Sequence, residues 1–334
     1  MSVSPLVTVI IPNYNHERYL PARIDSVLNQ KYNNIEVLIL DDCSPDNSRE
    51  VIDKYAAVDH RIRTVYNEQN SGSTFKQWNK GFKLAKGEYI WIAESDDSAD
   101  LDFLAVLVAR LQTDENISLA YSDSFDMDGD DNVRGTIAWY LTELDSMWAH
   151  DFVVEGAPLI RKFMPYRNFI PNASAAVFRA SLVRAIGPAD ENYRLYGDMV
   201  FWARIIAQGK IAYVSQPLNY WRTHRNNVRT KTSLDGTGLE ESSRVLAAMR
   251  TYGEPNEKYR HKALEQLINL WYDTWSNQHL SWNRHKTVFR NIAAVEPNIA
   301  HTLLSIAGRR FFHKASGFRI LLGEKFLYRL LKRK

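Results

Sequence analysis

Three carboxylates, Glu94, Asp96 and Asp97, crowd into four residues directly after the apolar run Tyr89 to Ala93. Like charges this close repel, and burying any of them without a partner is costly. Either the segment is a solvated acidic loop, as most charge runs are, or it is a seat for a cation. A second acidic pair, Asp41 and Asp42, follows the apolar run Ile35 to Leu40, and the polar run Pro12-Asn13-Tyr14-Asn15 follows Val7 to Ile11.

The spacing of these runs specifies what must position them. Short β-branched runs at Val7 to Ile11, Ile35 to Leu40, Ile62 to Tyr66 and Tyr89 to Ala93 read as buried strands. Between them, Tyr19 to Gln30, Asp46 to Ala56 and Thr74 to Ala85 carry helical spacing, with Ser44 or Asp46 as N-cap of the second. The alternation predicts parallel βαβ units, in which ligands gather beyond the carboxyl ends of the strands. The polar run and both acidic groups then leave the sheet on one edge and converge on one crevice.

That crevice lacks a Gly-rich dinucleotide turn after the first strand, and the chain has no phosphate-loop motif. A bare phosphate would be repelled by the acidic mouth. A divalent cation would not, and through it a diphosphate could bind, since hard cations take carboxylate oxygens and leave positions for phosphates.

The stretches PLVTVIIPNYNHERYLPARIDSVLNQKYNNIEVLILDDCSPDNS and NSGSTFKQWNKGFKLAKGEYIWIAESDD resemble family 2 glycosyltransferases of the GT-A fold, over about Pro5 to Val228. The resemblance implies an α/β, Rossmann-like mixed sheet flanked by helices, and an inverting transferase that uses Mn²⁺ or Mg²⁺. It implies a nucleotide-sugar donor and a glycan or lipid-linked glycan acceptor in surface polysaccharide (O-antigen or capsule) synthesis. It places Pro12, Tyr14, Asp41 and Asp42 around the base and ribose, Asp96 near the ribose, and Asp97 on the metal. Glu94 stands where the family commonly has Asp. Trp78 stands where it often has a phosphate-binding Arg, leaving Lys76 as the substitute.

In the second half, YGDMVFWARI resembles the family's E-D-x-x-x-W segment, with Gly197 in place of Glu. Asp198 falls in the first turn of a helix, where an acid complements the dipole. The resemblance makes it the base that deprotonates the acceptor hydroxyl. FIPNASAAVF resembles the acceptor-lining segment, implying Asn172 and Ser174 there, and YWRTHRNNV implies Arg222 and His224 at the phosphates, with His224 also at the metal. SDSFDMDGDD fails the EF-hand pattern at its sixth and twelfth positions and reads as a turn at Gly129. Two rival classes are a nucleotidyltransferase, whose Gly-rich basic loop is missing, and a non-catalytic sugar-nucleotide binding protein, which would need no base.

Net charge of +3 implies no general attraction to nucleic acid, and the lone Cys43 excludes an internal disulfide. The N-terminus lacks the pattern of a signal peptide, and no apolar run is long enough for a membrane span, which argues against a processive synthase that extrudes its product. Residues 1–235 form the expected catalytic domain, and 236–334 a mainly helical extension with an apolar stripe of Leu264, Leu267, Ile268, Trp271 and Trp275. The final stretch from Arg309, basic and aromatic with Glu324 its only acid, reads as an amphipathic helix for an anionic membrane surface. The expected location is cytoplasmic, peripheral on the inner face of the cytoplasmic membrane.

Overall fold

The computed structural model describes residues 4–224, 236–277 and 280–312 of the protein. In chain order the elements are β1 (Val7–Asn13), α1 (Leu20–Leu28), β2 (Ile35–Asp41), α2 (Ser48–Ala56), β3 (Ile62–Tyr66), α3 (Thr74–Leu84), β4 (Tyr89–Ile92) and β5 (Ser98–Ala99). There follow α4 (Phe103–Gln112), β6 (Ile117–Asp128), β7 (Val133–Thr136), α5 (Ala138–Thr142), β8 (Phe152–Glu155), α6 (Gly156–Phe163), β9 (Ala176–Arg179), α7 (Ala180–Ile186), α8 (Gly197–Ile206) and β10 (Lys210–Thr223). The last helices are α9 (Thr237–Met249), α10 (Glu257–Asn277), α11 (Trp282–Ala293) and α12 (Ile299–Phe312). The chain divides into two compact units, residues 1–158 with 169–225 and residues 159–168 with 226–334.

In the first unit, ten strands form one mixed sheet in the order β3-β2-β1-β4-β9-β6-β10-β5, with β7 on β6 and β8 on β10. β1 is buried along its whole length, as a strand covered on both faces must be. It pairs in parallel with β2 and β4, and β2 pairs in parallel with β3. Leu20, Ile24 and Val27 of α1 and Leu104, Leu107, Val108 and Leu111 of α4 pack into the same core as Val9, Ile39 and Trp91. The carboxyl ends of β1, β2 and β4 therefore leave the sheet together, as the sequence predicts.

Beyond β4 the sheet turns mixed. β9 runs antiparallel to both β4 and β6, and the long β10 runs parallel to β6. The acidic segment after Phe125 is the end of β6 and the turn into β7, with Asp131 at φ +68°.

The second unit packs helices around Leu239, Leu246, Leu264, Leu267, Ile268, Trp271, Val288, Ile292 and Ile306. The predicted stripe is buried except at its last member, because Trp275 is 57% exposed. Of the basic stretch that begins at Arg309, residues 313–334 lie outside the described residues.

Candidate active site

The three carboxylates after β4 resolve into three environments. Asp97 is buried with both oxygens engaged: Oδ1 accepts from the Arg222 main-chain N–H at 2.8 Å, and Oδ2 accepts from Asn172 Nδ2 at 3.0 Å and Ser174 Oγ at 2.7 Å. Asn172 and Ser174 stand at a short 3₁₀ turn leading into β9, where Asn172 Oδ1 also accepts from the Ser174 N–H. Behind Asp97 lies Arg23 of α1, fully buried, with one terminal nitrogen 3.9 Å from Asp97 Oδ2 and Nε donating to the Glu94 carbonyl at 2.9 Å. Burial pulls the Arg23 guanidinium down to about 10, against the pull of Asp97. Burial, with Asp96 adding repulsion, pushes Asp97 up to about 6.

Glu94 serves differently. Its Oε1 accepts from the Trp78 indole N–H at 2.8 Å, which ties α3 to the end of β4. Burial and the charge of Asp96 push it up to about 8, so it is a neutral acid at pH 7. Trp78, where the family resemblance implied an Arg, thus anchors the acidic turn through its indole N–H.

Asp96 is the carboxylate that faces outward. Its Oδ2 lies 3.1 Å from His224 Nε2, just past the end of β10. Burial acts to raise its pKa, but the His224 hydrogen bond and the His16 ring outweigh that and hold it below the ordinary carboxylate value. The third member is His16, whose Nδ1 lies 2.8 Å from Ser95 Oγ; burial lowers its pKa. Asn15, at φ +59°, turns the chain after β1 just before it. His16, Asp96 and His224 each offer a ligand atom, all within 4.8 Å of one another. A set of donors this close would hold a divalent cation. Two imidazoles and one carboxylate suit a transition ion such as Mn²⁺.

Three groups of expected site residues are engaged within the protein. Asp97 stands outside the group formed by His16, Asp96 and His224, and protein donors engage both its oxygens. The polar groups of Asn172 and Ser174 hold Asp97, so they are supports of the acidic turn where an acceptor lining was expected. Arg222 is buried to 1% exposure and committed: Nε donates to the Asp96 carbonyl at 2.6 Å, Nη1 to the Asp128 carbonyl at 3.1 Å, and Nη2 pairs with Asp131 at 2.6 Å. It braces the turn from the side opposite Arg23. His16 and Arg23 were missed by sequence reasoning. The available signal for His16 was its place one residue past the polar run on the crevice edge.

The other half of the crevice lies at the ends of β1 and β2. Asp41 accepts from Asn13 Nδ2 at 2.8 Å and from the Ser44 hydroxyl and N–H, so it orders the loop into α2. Asp42 accepts from Asn67 Nδ2 at 2.6 Å, the Ser71 N–H at 2.9 Å, Ser71 Oγ at 2.7 Å and Gln77 Nε2 at 2.8 Å. Beside them Asn13 Oδ1 and Gln77 Oε1 are buried acceptors without a donor. Pro12 is buried, Tyr14 is exposed at the edge, and exposed Lys76 donates from Nζ to the Ser71 carbonyl at 3.1 Å. Asp198 stands half-buried in the first turn of α8. Its neighbour Gly197 has no room for a side chain: a Cβ there would meet the Phe75 ring at 2.7 Å.

A mixed sheet with this cluster of carboxylate and imidazole groups at the carboxyl ends of its strands is an α/β fold of the kind that gathers ligands at that edge. The model of glycosyl transferase family 2 matches residues 8–184. The chain belongs to that family of enzymes. Glycosyltransferase GlyG of Streptococcus pneumoniae is 33% identical over 46% of this chain and 47% of its own. The putative teichuronic acid biosynthesis glycosyltransferase TuaG of Bacillus subtilis is 41% identical over 30% of this chain and 39% of its own. The chain thus spans less than half the length of these two relatives. Among solved structures, S. aureus TarS 1–349 in complex with UDP-GlcNAc superimposes with TM-score 0.65 at 18% identity, covering 95% of this chain and 88% of that one. The mannosyltransferase PcManGT from Pyrobaculum calidifontis, in complex with GDP-Man and Mn²⁺, gives 0.58 at 15% identity, covering 94% and 89%. These likenesses show the fold, the GT-A sheet with its helical C-terminal region. No helix among the described residues is long and apolar enough to cross a membrane.

Proposed function

We propose that the protein transfers a single sugar, with inversion, from a nucleotide-sugar donor to a glycan or lipid-linked glycan acceptor in surface polysaccharide synthesis. The observation that carries the reading is the cluster of His16, Asp96 and His224 at the carboxyl edge of the sheet. A Mn²⁺ or Mg²⁺ ion bound there would offset charge building on the departing nucleoside diphosphate. Residues 1–235 carry this chemistry, and 236–334 form the helical extension.

The chain's own groups take the remaining roles. Pro12 and Tyr14 border the base, and the buried acceptors Asn13 Oδ1 and Gln77 Oε1 await donors such as base N–H groups. Asp41 and Asp42 hold the loops that shape this pocket, and Lys76 lies at its rim to meet phosphate. Asp198 takes the proton from the acceptor hydroxyl as the new bond forms. Names of relatives support the setting: teichuronic acid synthesis for one, and UDP-GlcNAc or GDP-Man bound to fold neighbours. The protein works at the inner face of the cytoplasmic membrane, where lipid-linked acceptors are made.

The test is a donor panel of UDP-, GDP- and dTDP-sugars with Mn²⁺, read by the released product. Nucleoside diphosphate release from one donor class supports transfer. Pyrophosphate release points to a nucleotidyltransferase, and binding without release to a non-catalytic binding protein.

A further inference from the structure

In the second unit, three aromatic residues gather where α10 ends and α11 begins. The His285 ring lies 4.7 Å from Trp275 and 6.2 Å from Trp282, and its Nδ1 accepts from the Trp271 indole N–H at 2.9 Å. Trp271 is buried, yet Trp275 and Trp282 are 57% and 64% exposed. One heptad along α11 from Trp282, Phe289 is 43% exposed on the same face. Large apolar groups exposed together mark an interaction surface.

The charges on this helix name the partner. α11 carries Arg284, Lys286 and Arg290 and no acid. Arg284 pairs with Glu240, and other ion pairs in the unit include Arg250–Glu254, Arg260–Glu296, Arg309–Glu265 and Arg310–Asp273. Lys286 and Arg290, both exposed, have no ion-pair partner among the described residues. They lie four and eight residues after Trp282, along one side of the Trp282–Phe289 line. Indole rings prefer the boundary between water and hydrocarbon, and unneutralised cations prefer anionic headgroups.

We propose that the face formed by Trp275, Trp282, Lys286, Phe289 and Arg290 docks on an anionic lipid bilayer. The opposite side of α11, with Val288 and Ile292, stays in the core of the unit. The helix thus lies in the plane of the interface with its aromatic edge inserted. Its residues precede the stretch that begins at Arg309 in the sequence, and the proposal does not depend on the transfer reading.

The test is co-sedimentation of the full chain with phosphatidylcholine vesicles, with and without phosphatidylglycerol. Binding is expected only with phosphatidylglycerol and should weaken as salt rises. Lys286→Gln with Arg290→Gln should lower the partition coefficient roughly thirtyfold. Trp282→Ser with Phe289→Ser should also lower it, while nucleotide binding is unchanged in both. Because the charge variant alters exposed side chains only, it remains informative if the aromatic variant misfolds. The proposal is overturned if wild-type protein ignores the anionic vesicles, if both variants bind like wild type, or if neutral vesicles bind equally well. It is equally overturned if the substitutions instead dissociate a homo-oligomer, or if the patch binds a soluble anionic polysaccharide and no vesicle.

Discussion

Asp97 and Arg222 stand 125 positions apart in the chain, and the Arg222 main-chain N–H donates to Asp97 Oδ1 at 2.8 Å. Neighbouring carboxylates in one motif are thereby divided, Asp97 as a brace and Asp96 as the one that meets His224. Asp97→Asn should destabilise the fold by about 2–4 kcal/mol, because it faces an amide toward existing donors and leaves buried Arg23 uncompensated. Asp96→Asn should change stability by less than about 1 kcal/mol yet abolish cation binding. Urea unfolding paired with Mn²⁺ titration by electron paramagnetic resonance separates the two.

His16→Ala should weaken Mn²⁺ binding by at least about tenfold and Mg²⁺ binding much less, since imidazole suits transition ions better than magnesium. Calorimetric titration of each ion into wild type and variant reads the ratio. Equal losses for both ions would remove His16 from the ligand set.

Asp198→Asn should lower kcat by about 10²–10⁴-fold while leaving nucleotide affinity unchanged. Single-turnover kinetics beside calorimetry of the nucleoside diphosphate tests this. A parallel loss of nucleotide binding would make Asp198 a structural residue of α8 instead.

Asp123 on β6 is buried and its Oδ1 has no hydrogen-bond partner. Burial pushes its pKa from 3.8 up to about 6. The folded state therefore holds this proton more tightly than the unfolded chain. Its contribution to stability is full below about pH 3.8 and is lost as pH rises through about 6. Asp123→Asn should match wild type near pH 4 and exceed it by about 1–3 kcal/mol at pH 8. Denaturation midpoints across that range give the comparison.

Gly197→Glu would place before Asp198 the acid that the family resemblance implied there, and it should fail. The Phe75 ring and Tyr193 Cβ, at 2.7 and 2.9 Å from the position of a Cβ, leave no space. A loss of about 1–3 kcal/mol is expected from overpacking, measurable as a lowered Tm. Phe75→Ala in the same chain should recover part of it.

The first half of the fold was legible because its strands are buried on both faces and its helices carry their apolar stripe locally. Ile62 to Tyr66 is a strand with the expected bounds, and β1, β2 and β4 end within two residues of expectation. Partners of β6, β9 and β10 were not legible, since a mixed sheet is settled by long-range register. The acidic loops after β2 and β4 were legible as loops, but the partners each carboxylate takes were not. Whether Asp96 or Asp97 faces outward depends on the Arg222 N–H and the Asn172 and Ser174 side chains, all from the second half of the chain. No local pattern in Glu94 to Asp97 encodes that choice. Trp275 was assigned to the buried stripe by helical spacing alone; it shares that face but stands two residues from the end of α10 and is exposed.

The long reach between Asp97 and Arg222 also sets an order of assembly. A chain made from its N-terminus at about 5–20 residues per second completes β4 and its acidic turn roughly 6–25 s before Arg222 is synthesised. His224 emerges two residues later still. A half-made chain can build the parallel half of the sheet, but it has neither the second brace for the turn nor the last imidazole of the seat. The three groups thus come together only with the final strand of the sheet, so an assembled cluster reports that this strand is in place.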